Sequence, residues 1–140
     1  MYSLLGELAG PGGERFEGLP DGTVMGHVHF KVASIPESVG FYRDVLGLEL
    51  MAQLGAQAAF LAAGGYHHHV GANTWESAGG SAPPPGSAPL LHATIVLPDA
   101  AEQGHVIGRI EHAGLAVDER DGAPFVADPS GNLLALATAT

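Results

Sequence analysis

The chain has 140 residues, of which 46% are hydrophobic, so it is long enough to form one domain with its own core. Fifteen acidic residues against five basic ones give a formal net charge of −10, which argues against nucleic acid or an anionic membrane as a partner. The absence of cysteine excludes disulfides and a cysteine-based zinc site. No apolar run reaches the ~18 residues of a spanning helix, and no basic leader opens the chain. We therefore expect a cytoplasmic protein.

Two glycine-rich stretches predict the organisation of the chain. Residues 1–22 have little periodicity, and we interpret them as an N-terminal arm or linker remnant before a domain at 23–140. Residues 77–89 are rich in Gly, Ser, Ala and Pro, which is typical of a linker. This linker divides the domain into two modules of similar size, 23–76 and 90–140.

The first module reads as one strand, one helix and three more strands. Residues 26–32 alternate apolar and polar side chains as a strand does. Ser34 followed by Glu37 is a capping-box pattern, and it predicts a helix over 35–46. Further strands are predicted at 48–53, 57–62 and 66–73.

The second module repeats this order. A strand at 90–97 precedes a capping-box pattern at Asp99 and Glu102, which predicts a helix over 99–113. Short strands follow at 116–119, 125–127 and 133–137. The sequence therefore predicts an α+β fold of two βαβββ modules, with a cleft between two curved mixed sheets.

Histidines stand where this repeat would bring them to the cleft. Because side chains alternate along a strand, Phe30 faces the helix while His27 and His29 face the cleft. In the second module, His92 stands at the position that repeats His27. Imidazoles from separate strands can thus converge, and neutral imidazoles suit zinc, iron, nickel or copper.

The last strand of the first module carries three consecutive histidines. Strand alternation predicts that His67 and His69 share one face and that His68 takes the opposite one. Simpler interpretations remain open at this point. His29 can be a hydrogen-bonded wall residue rather than a ligand, and His67 and His68 can be surface residues.

Several motifs resemble the vicinal oxygen chelate superfamily, which includes glyoxalase I, extradiol dioxygenases and bleomycin-resistance proteins. The opening segment HVHFKVASIPESVGFYRDVLG at 27–47 resembles the start of that fold, and DPSGNLLAL at 128–136 resembles its closing strand. The segments GLPDGTVMGH at 18–27 and AGGYHHHVGANTW at 63–75 are similar to catechol-2,3-dioxygenase-like proteins of bacteria.

The resemblance implies metal ligands on the first and last strands of each module. These positions are taken as His27, His69, His92 and Ala135. In ring-cleaving relatives the last would be Glu, and a catalytic Tyr would stand at Phe125. Both departures count against ordinary extradiol chemistry. We therefore predict a shifted metal site of His27, His69 and His92, with His69 and Ala135 taken as equivalent positions of the repeat.

The leading hypothesis is a metal-dependent oxidoreductase of the ring-cleaving type, or a lyase or isomerase, that acts on a small chelating molecule. His29 and His67 would then serve as acid–base residues, because an imidazole titrates near neutral pH. The metal would be divalent Fe, Mn, Zn or Ni. The alternative is a metal-free drug-binding protein of the bleomycin-resistance type, and a third interpretation is a degenerate dimerisation module. The resemblance also implies a homodimer.

Overall fold

The computed structural model describes residues 18–84 and 86–139. Most of the predicted N-terminal arm, residues 1–17, lies outside the described part. The elements of the first half are β1 (Val28–Lys31), α1 (Ile35–Val39), a π-helical segment (Gly40–Val45), β2 (Glu49–Leu54), β3 (Ala58–Ala62) and β4 (Val70–Asn73). Those of the second half are β5 (Ala93–Leu97), α2 (Ala100–His112), β6 (Asp118–Arg120), β7 (Ala123–Ala127) and β8 (Leu133–Thr138).

Each half forms a four-stranded mixed sheet with the same topology. The strand orders are β1-β4-β3-β2 and β5-β8-β7-β6, and in each sheet the first and last strands of the module pair in parallel. The remaining pairs are antiparallel. The predicted α+β fold of two βαβββ modules is therefore confirmed.

Both helices begin at the residues that the capping patterns indicate. The Ser34 hydroxyl accepts a hydrogen bond from the Glu37 amide, and the Asp99 carboxylate accepts one from the Glu102 amide at 2.9 Å. Such caps satisfy amides that have no partner in the first turn. The helix predicted over 35–46 differs in its second half, where the backbone winds into a π-helix in which Leu46 N bonds to Phe41 O.

One hydrophobic core joins the two modules. Buried side chains of the first sheet and its helix, such as Phe30, Tyr42 and Leu61, lie in the same cluster as Val106, Ile110 and Leu134 from the second. Burial of this shared surface stabilises the two sheets as one unit, because apolar area removed from water contributes roughly 25 cal/mol per Å².

Polar contacts reinforce the junction between the modules. The buried Tyr42 hydroxyl, from the π-helical segment, donates to the Asp128 carboxylate at 3.0 Å. Asp128 also accepts hydrogen bonds from the amides of Ser130 and Asn132, both at 2.8 Å. The Ser130 hydroxyl in turn accepts from Ala33 N at 2.9 Å. Asp128 thus organises its own turn, as the sequence indicates, and also ties the second module to the first.

Neither helix of the described residues, 18–84 and 86–139, has the length and apolar character needed to cross a membrane.

Candidate metal centre

Three histidine side chains of the first module converge on the face of its sheet that lies opposite the helix. One ring nitrogen from each of His27, His29 and His68 lies within 4.8 Å of the other two. His27 and His29 are exposed, and His68 is half-buried. Among the described residues, this is the group of potential ligands dense enough to hold a metal ion. We call it the histidine triad.

The shortest contact of the triad joins two nitrogens that cannot both carry protons there. His29 Nε2 and His68 Nε2 are 3.0 Å apart. In the metal-free protein, one imidazole donates a hydrogen bond to the other. A separation of this size is also close to the ~3.0–3.4 Å between two ligand atoms that share one ion at ~2.1 Å. The pair can therefore bind either one proton or one cation between its rings.

A glycine on the neighbouring strand makes room for the triad. Gly71 pairs with His29 across the parallel β1–β4 ladder. A Cβ built at Gly71 would lie 2.5 Å from His29 Nδ1 and 3.0 Å from His29 Cγ. Contacts this short are repulsive, and Cγ moves only if the side chain changes rotamer. The His29 ring thus occupies the space that any other residue at position 71 would fill.

An aromatic ring borders the triad on the inner strand of the sheet. The centroid of Phe60 lies 5.1 Å from that of His68 and 6.0 Å from that of His29. Both contacts are edge-to-face, the geometry that aromatic rings favour. Phe60 therefore holds two of the three imidazoles and places apolar surface beside them.

His68 joins the triad because the strand that carries it begins later than predicted. Strand β4 starts at Val70, whereas we predicted a strand over 66–73. Residues 66–69 instead follow a tight turn in which Gly64 and Gly65 both have positive φ. The two-residue alternation of a strand does not apply to this irregular segment. The expectation that His68 faces away from His27 is therefore wrong.

His69 contributes to the turn rather than to the triad. Its Nδ1 accepts a hydrogen bond from Ala63 N at 3.2 Å, and its ring lies against Tyr66 at 4.7 Å. His67 also contacts Tyr66, at 4.1 Å, and its ring centroid is 4.6 Å from that of His68. His67, predicted as an acid–base residue, thus lies beside the triad without belonging to it.

His92 lies on the second sheet, apart from the triad. Its ring packs edge-to-face on Phe125 at 5.3 Å, and the guanidinium of Arg120 covers the same Phe125 ring at 5.4 Å. Of the predicted ligands His27, His69 and His92, the structure places only the first in the triad. His29, predicted as an acid–base residue, takes a position among the potential ligands.

The strand registers also correct the predicted equivalence of His69 and Ala135. Val28 pairs with Val70 in the first sheet, and Ala93 pairs with Leu134 in the second. Gly71 is therefore the counterpart of Ala135, and His69 is the counterpart of Leu133. The prediction failed because it counted residues between motifs, and the loop before the last strand is shorter in the second module.

The surroundings of His68 disfavour its protonation. Burial, followed by the positive charges that neighbouring histidines would carry, lowers the pKa of His68. Like charges and desolvation both disfavour an imidazolium. The lowered pKa favours the neutral form of His68, which is the form that donates a lone pair.

The two-module fold places the chain in a known class of domains. The family model of the Glyoxalase/Bleomycin resistance protein/Dioxygenase superfamily matches residues 24–136. This match spans most of the chain, and the chain belongs to that superfamily.

A more specific likeness is to a protein named for dioxygenase activity. The chain is 38% identical over 125 residues to the Catechol-2,3-dioxygenase of Bacillus subtilis (strain 168), an alignment that covers 89% of this chain and 44% of that protein. The chain thus spans less than half the length of this relative.

Solved structures share the fold at lower sequence identity. A lactoylglutathione lyase from Agrobacterium tumefaciens has a TM-score of 0.62 at 23% identity, covering 86% of this chain and 96% of that one. A fosfomycin resistance protein from Listeria monocytogenes has a TM-score of 0.58 at 14% identity, covering 84% and 94%. At these identities the likeness shows the fold.

Proposed function

We propose that this chain is a metal-dependent domain that acts on a small molecule able to chelate the metal through neighbouring oxygen atoms. The observation that carries the proposal is the convergence of three imidazole nitrogens within 4.8 Å on an exposed face of the first sheet. Imidazole is a preferred ligand of divalent Fe, Mn, Zn and Ni, and ligands from one side leave the other coordination positions free for water and substrate. A site of this kind is the catalytic arrangement of a metal enzyme.

Ring cleavage of a catechol-type substrate is the first candidate reaction. It is supported by the 38% identity to a protein named Catechol-2,3-dioxygenase. In this reaction, one molecule of O₂ adds both of its atoms to the ring carbons as the bond between those carbons breaks, so no additional reductant is consumed. A bound metal would supply the centre at which the substrate oxygens and O₂ meet.

The second sheet argues for a reaction site that differs from the one implied by the resemblance. Ala135 and Phe125 pair with each other there, and neither side chain can ligate a metal or transfer a proton. Three neutral imidazoles leave one more positive charge on the metal than a two-histidine, one-carboxylate set. Such a centre acts as a stronger Lewis acid, and this favours anionic oxygen donors and leaves lyase or isomerase chemistry as the next candidate.

The test measures metal and turnover on the same protein. Purified protein loaded with Fe²⁺, Mn²⁺, Zn²⁺ or Ni²⁺ is analysed for bound metal, and then for O₂ consumption and ring-opened product with catechol as the probe. We expect one metal ion per chain and O₂ uptake with Fe²⁺ or Mn²⁺ that the His27→Ala variant lacks. His105→Ala is the matched control, because His105 is exposed on α2. Protein that binds none of these metals would contradict the proposal.

Metal-free binding of a small molecule is the alternative. The net charge of −10 favours a cationic ligand for such a protein. It would be supported by ligand affinity that stays the same after treatment with a chelator, in protein that contains no transition metal.

A further inference from the structure

We propose that the first module alone holds a divalent transition metal, with His27, His29 and His68 as its protein ligands and with Gly71 as the residue that positions His29. This deepens the proposed function by assigning every protein ligand of the metal to one module and a positioning role to Gly71. It rests on that function only for the presence of the metal.

All three imidazoles belong to one sheet and the loop that leads into it. His29 lies in β1, and His27 is the residue just before that strand. His68 lies in the loop that leads into β4, the strand paired with β1. Because these two segments are neighbours in one ladder, no movement between modules is needed to bring the nitrogens within 4.8 Å.

The two modules carry different side chains at equivalent places. The row His29–Gly71–Phe60 in the first sheet corresponds to Thr94–Ala135–Phe125 in the second. The second module therefore carries a threonine where the first has His29, and a methyl group where the first has none. The metal-binding residues have no counterpart in the second sheet beyond His92.

The loops before the last strands of the two modules also differ in which side chains form the turn. In the second module, the turn from Asp128 to Asn132 uses its polar side chains to join the modules, since Asn132 Nδ2 donates both to Asp128 and to Lys31 O. In the first module, the equivalent loop makes its turn with Gly64 and Gly65, both at positive φ. Of the imidazoles in this loop, His69 bonds to the backbone of the turn, whereas His68 contacts His29 instead.

The position of the His29 ring carries a cost when no ligand is bound. Glycine inside a strand is unfavourable relative to residues with a side chain. The ring of His29 fills the space over Gly71 and in doing so brings its Nε2 to 3.0 Å from His68 Nε2. A cation that replaces the proton shared by His29 and His68 would bind both nitrogens and so offset the cost of this arrangement.

The experiment measures the affinity for Ni²⁺ and Zn²⁺ alone, by equilibrium dialysis and elemental analysis, on the full chain and its variants. We expect His29→Ala and His68→Ala to weaken binding by about 100-fold or more, since loss of supporting groups alone costs about 10–100-fold. Gly71→Ala is the sharpest variant, because it keeps all three imidazoles and displaces only the His29 ring. We expect it to weaken binding by at least about 10-fold.

Matched controls distinguish the histidine triad from the predicted inter-module set and from chelation by the three consecutive histidines. His92→Ala and His69→Ala keep the wild-type affinity if the triad binds the metal, and Gly104→Ala adds a methyl group with nothing within 4 Å of it. A loss of binding in His92→Ala or His69→Ala, with His68→Ala unaffected, would overturn the proposal in favour of the predicted His27, His69 and His92 set. A loss in His67→Ala and His69→Ala without a loss in Gly71→Ala would show adventitious chelation by the three consecutive histidines.

Two further measurements distinguish loss of metal affinity from loss of folding and from loss of turnover. Far-UV circular dichroism and the unfolding midpoint, measured without metal, establish that each variant is folded at the temperature of the dialysis. A lower midpoint is expected for Gly71→Ala because of the contact with His29, and its affinity is compared as long as the midpoint stays above that temperature. Tight binding by the triad without turnover of any probe would contradict the proposed enzyme and leave this site standing. Wild-type protein that binds neither ion would overturn both.

Discussion

Removal of the Tyr42 hydroxyl tests whether the two modules unfold as one unit. Tyr42 is fully buried and donates to Asp128 Oδ2 at 3.0 Å across the module junction. A hydrogen bond to a charged group contributes about 1.5–3 kcal/mol. Because Asn132 Nδ2 also donates to that oxygen at 2.9 Å, the Tyr42→Phe variant leaves no orphaned acceptor. We expect its free energy of unfolding to fall by about 1.5 kcal/mol, toward the lower limit.

Asp128→Ala should cost more, because four hydrogen bonds converge on this carboxylate. The substitution also leaves the Tyr42 hydroxyl buried without an acceptor, which by itself costs about 1–3 kcal/mol. We expect a total loss of about 4 kcal/mol. The double variant should lose less than the sum of the single ones, with a coupling energy of about 1–2 kcal/mol.

The assay is urea unfolding followed by far-UV circular dichroism and by Trp75 fluorescence. A lower midpoint with an unchanged slope reports lost stability of one cooperative unit. Tyr66→Phe is the matched control, because Tyr66 is 41% exposed, and we expect a change within about 0.5 kcal/mol. An equal free energy of unfolding for Tyr42→Phe and the wild type would refute the reasoning, and so would two separate urea transitions in the wild type.

Three further predictions concern the same junction and the metal. Burial, followed by the charge and hydrogen bond of Asp128, raises the pKa of Tyr42 far above its ordinary value of 10.0, so the folded state keeps this phenol protonated. Stability from this group is complete below pH 10 and is lost as the pH rises above it, because only the unfolded chain then releases the proton. The urea midpoint of the wild type should therefore fall above about pH 10 more steeply than that of Tyr42→Phe, and equal slopes would contradict this. Arg109 donates to Val45 O at 3.0 Å and to Leu46 O at 2.9 Å, at the end of the π-helical segment. Arg109→Ala should lose about 1–2 kcal/mol in the same assay, whereas Arg43→Ala, which breaks an exposed pair with Asp44, should leave the urea midpoint unchanged within experimental error. Similar losses in both would show that Arg109 acts only as a surface charge. Ni²⁺ at about 100 times its dissociation constant should stabilise the wild type by about 2.7 kcal/mol, which corresponds to roughly 6–10 °C in the thermal midpoint. The His68→Ala variant should show no such shift, and an equal shift in both proteins would place the metal elsewhere.

Local patterns in the sequence were sufficient for the order of the strands, for the alternation along β1 and for the start of each helix. Phe30 and Val32 are buried and His29 and Lys31 are exposed, as the alternation along β1 requires. The caps at Ser34 and Asp99 form because their side chains satisfy amides within three residues. Interactions of such short range can be recognised from composition and spacing alone.

The triad could not be derived in the same way, because it depends on where β4 begins and on the register of two ladders. His68 lies in a loop, so the alternation that placed His27 and His29 on one face assigned it to the wrong side. A signal was nevertheless present in Gly71. An isolated glycine within a strand often marks the close approach of another group, and here that group is the ring of His29.

The π-helical segment and the junction at Asp128 were missed for a related reason. Nothing in the apolar spacing of residues 35–46 distinguishes a π-helix from an α-helix, since both bury Phe41 and Tyr42. The bond from Tyr42 to Asp128 spans 86 positions of the chain, and the turn motif at Asp128 has a sufficient local explanation without it. Contacts of this range require the packed structure.

A crystal structure of the metal-loaded chain, with anomalous diffraction recorded on both sides of the metal's absorption edge, tests the central claim most directly. We predict one anomalous peak within about 2.0–2.3 Å of a ring nitrogen from each of His27, His29 and His68. A peak bound by His92 or His69 instead, or well-ordered imidazoles at the triad with no peak between them, would contradict the account.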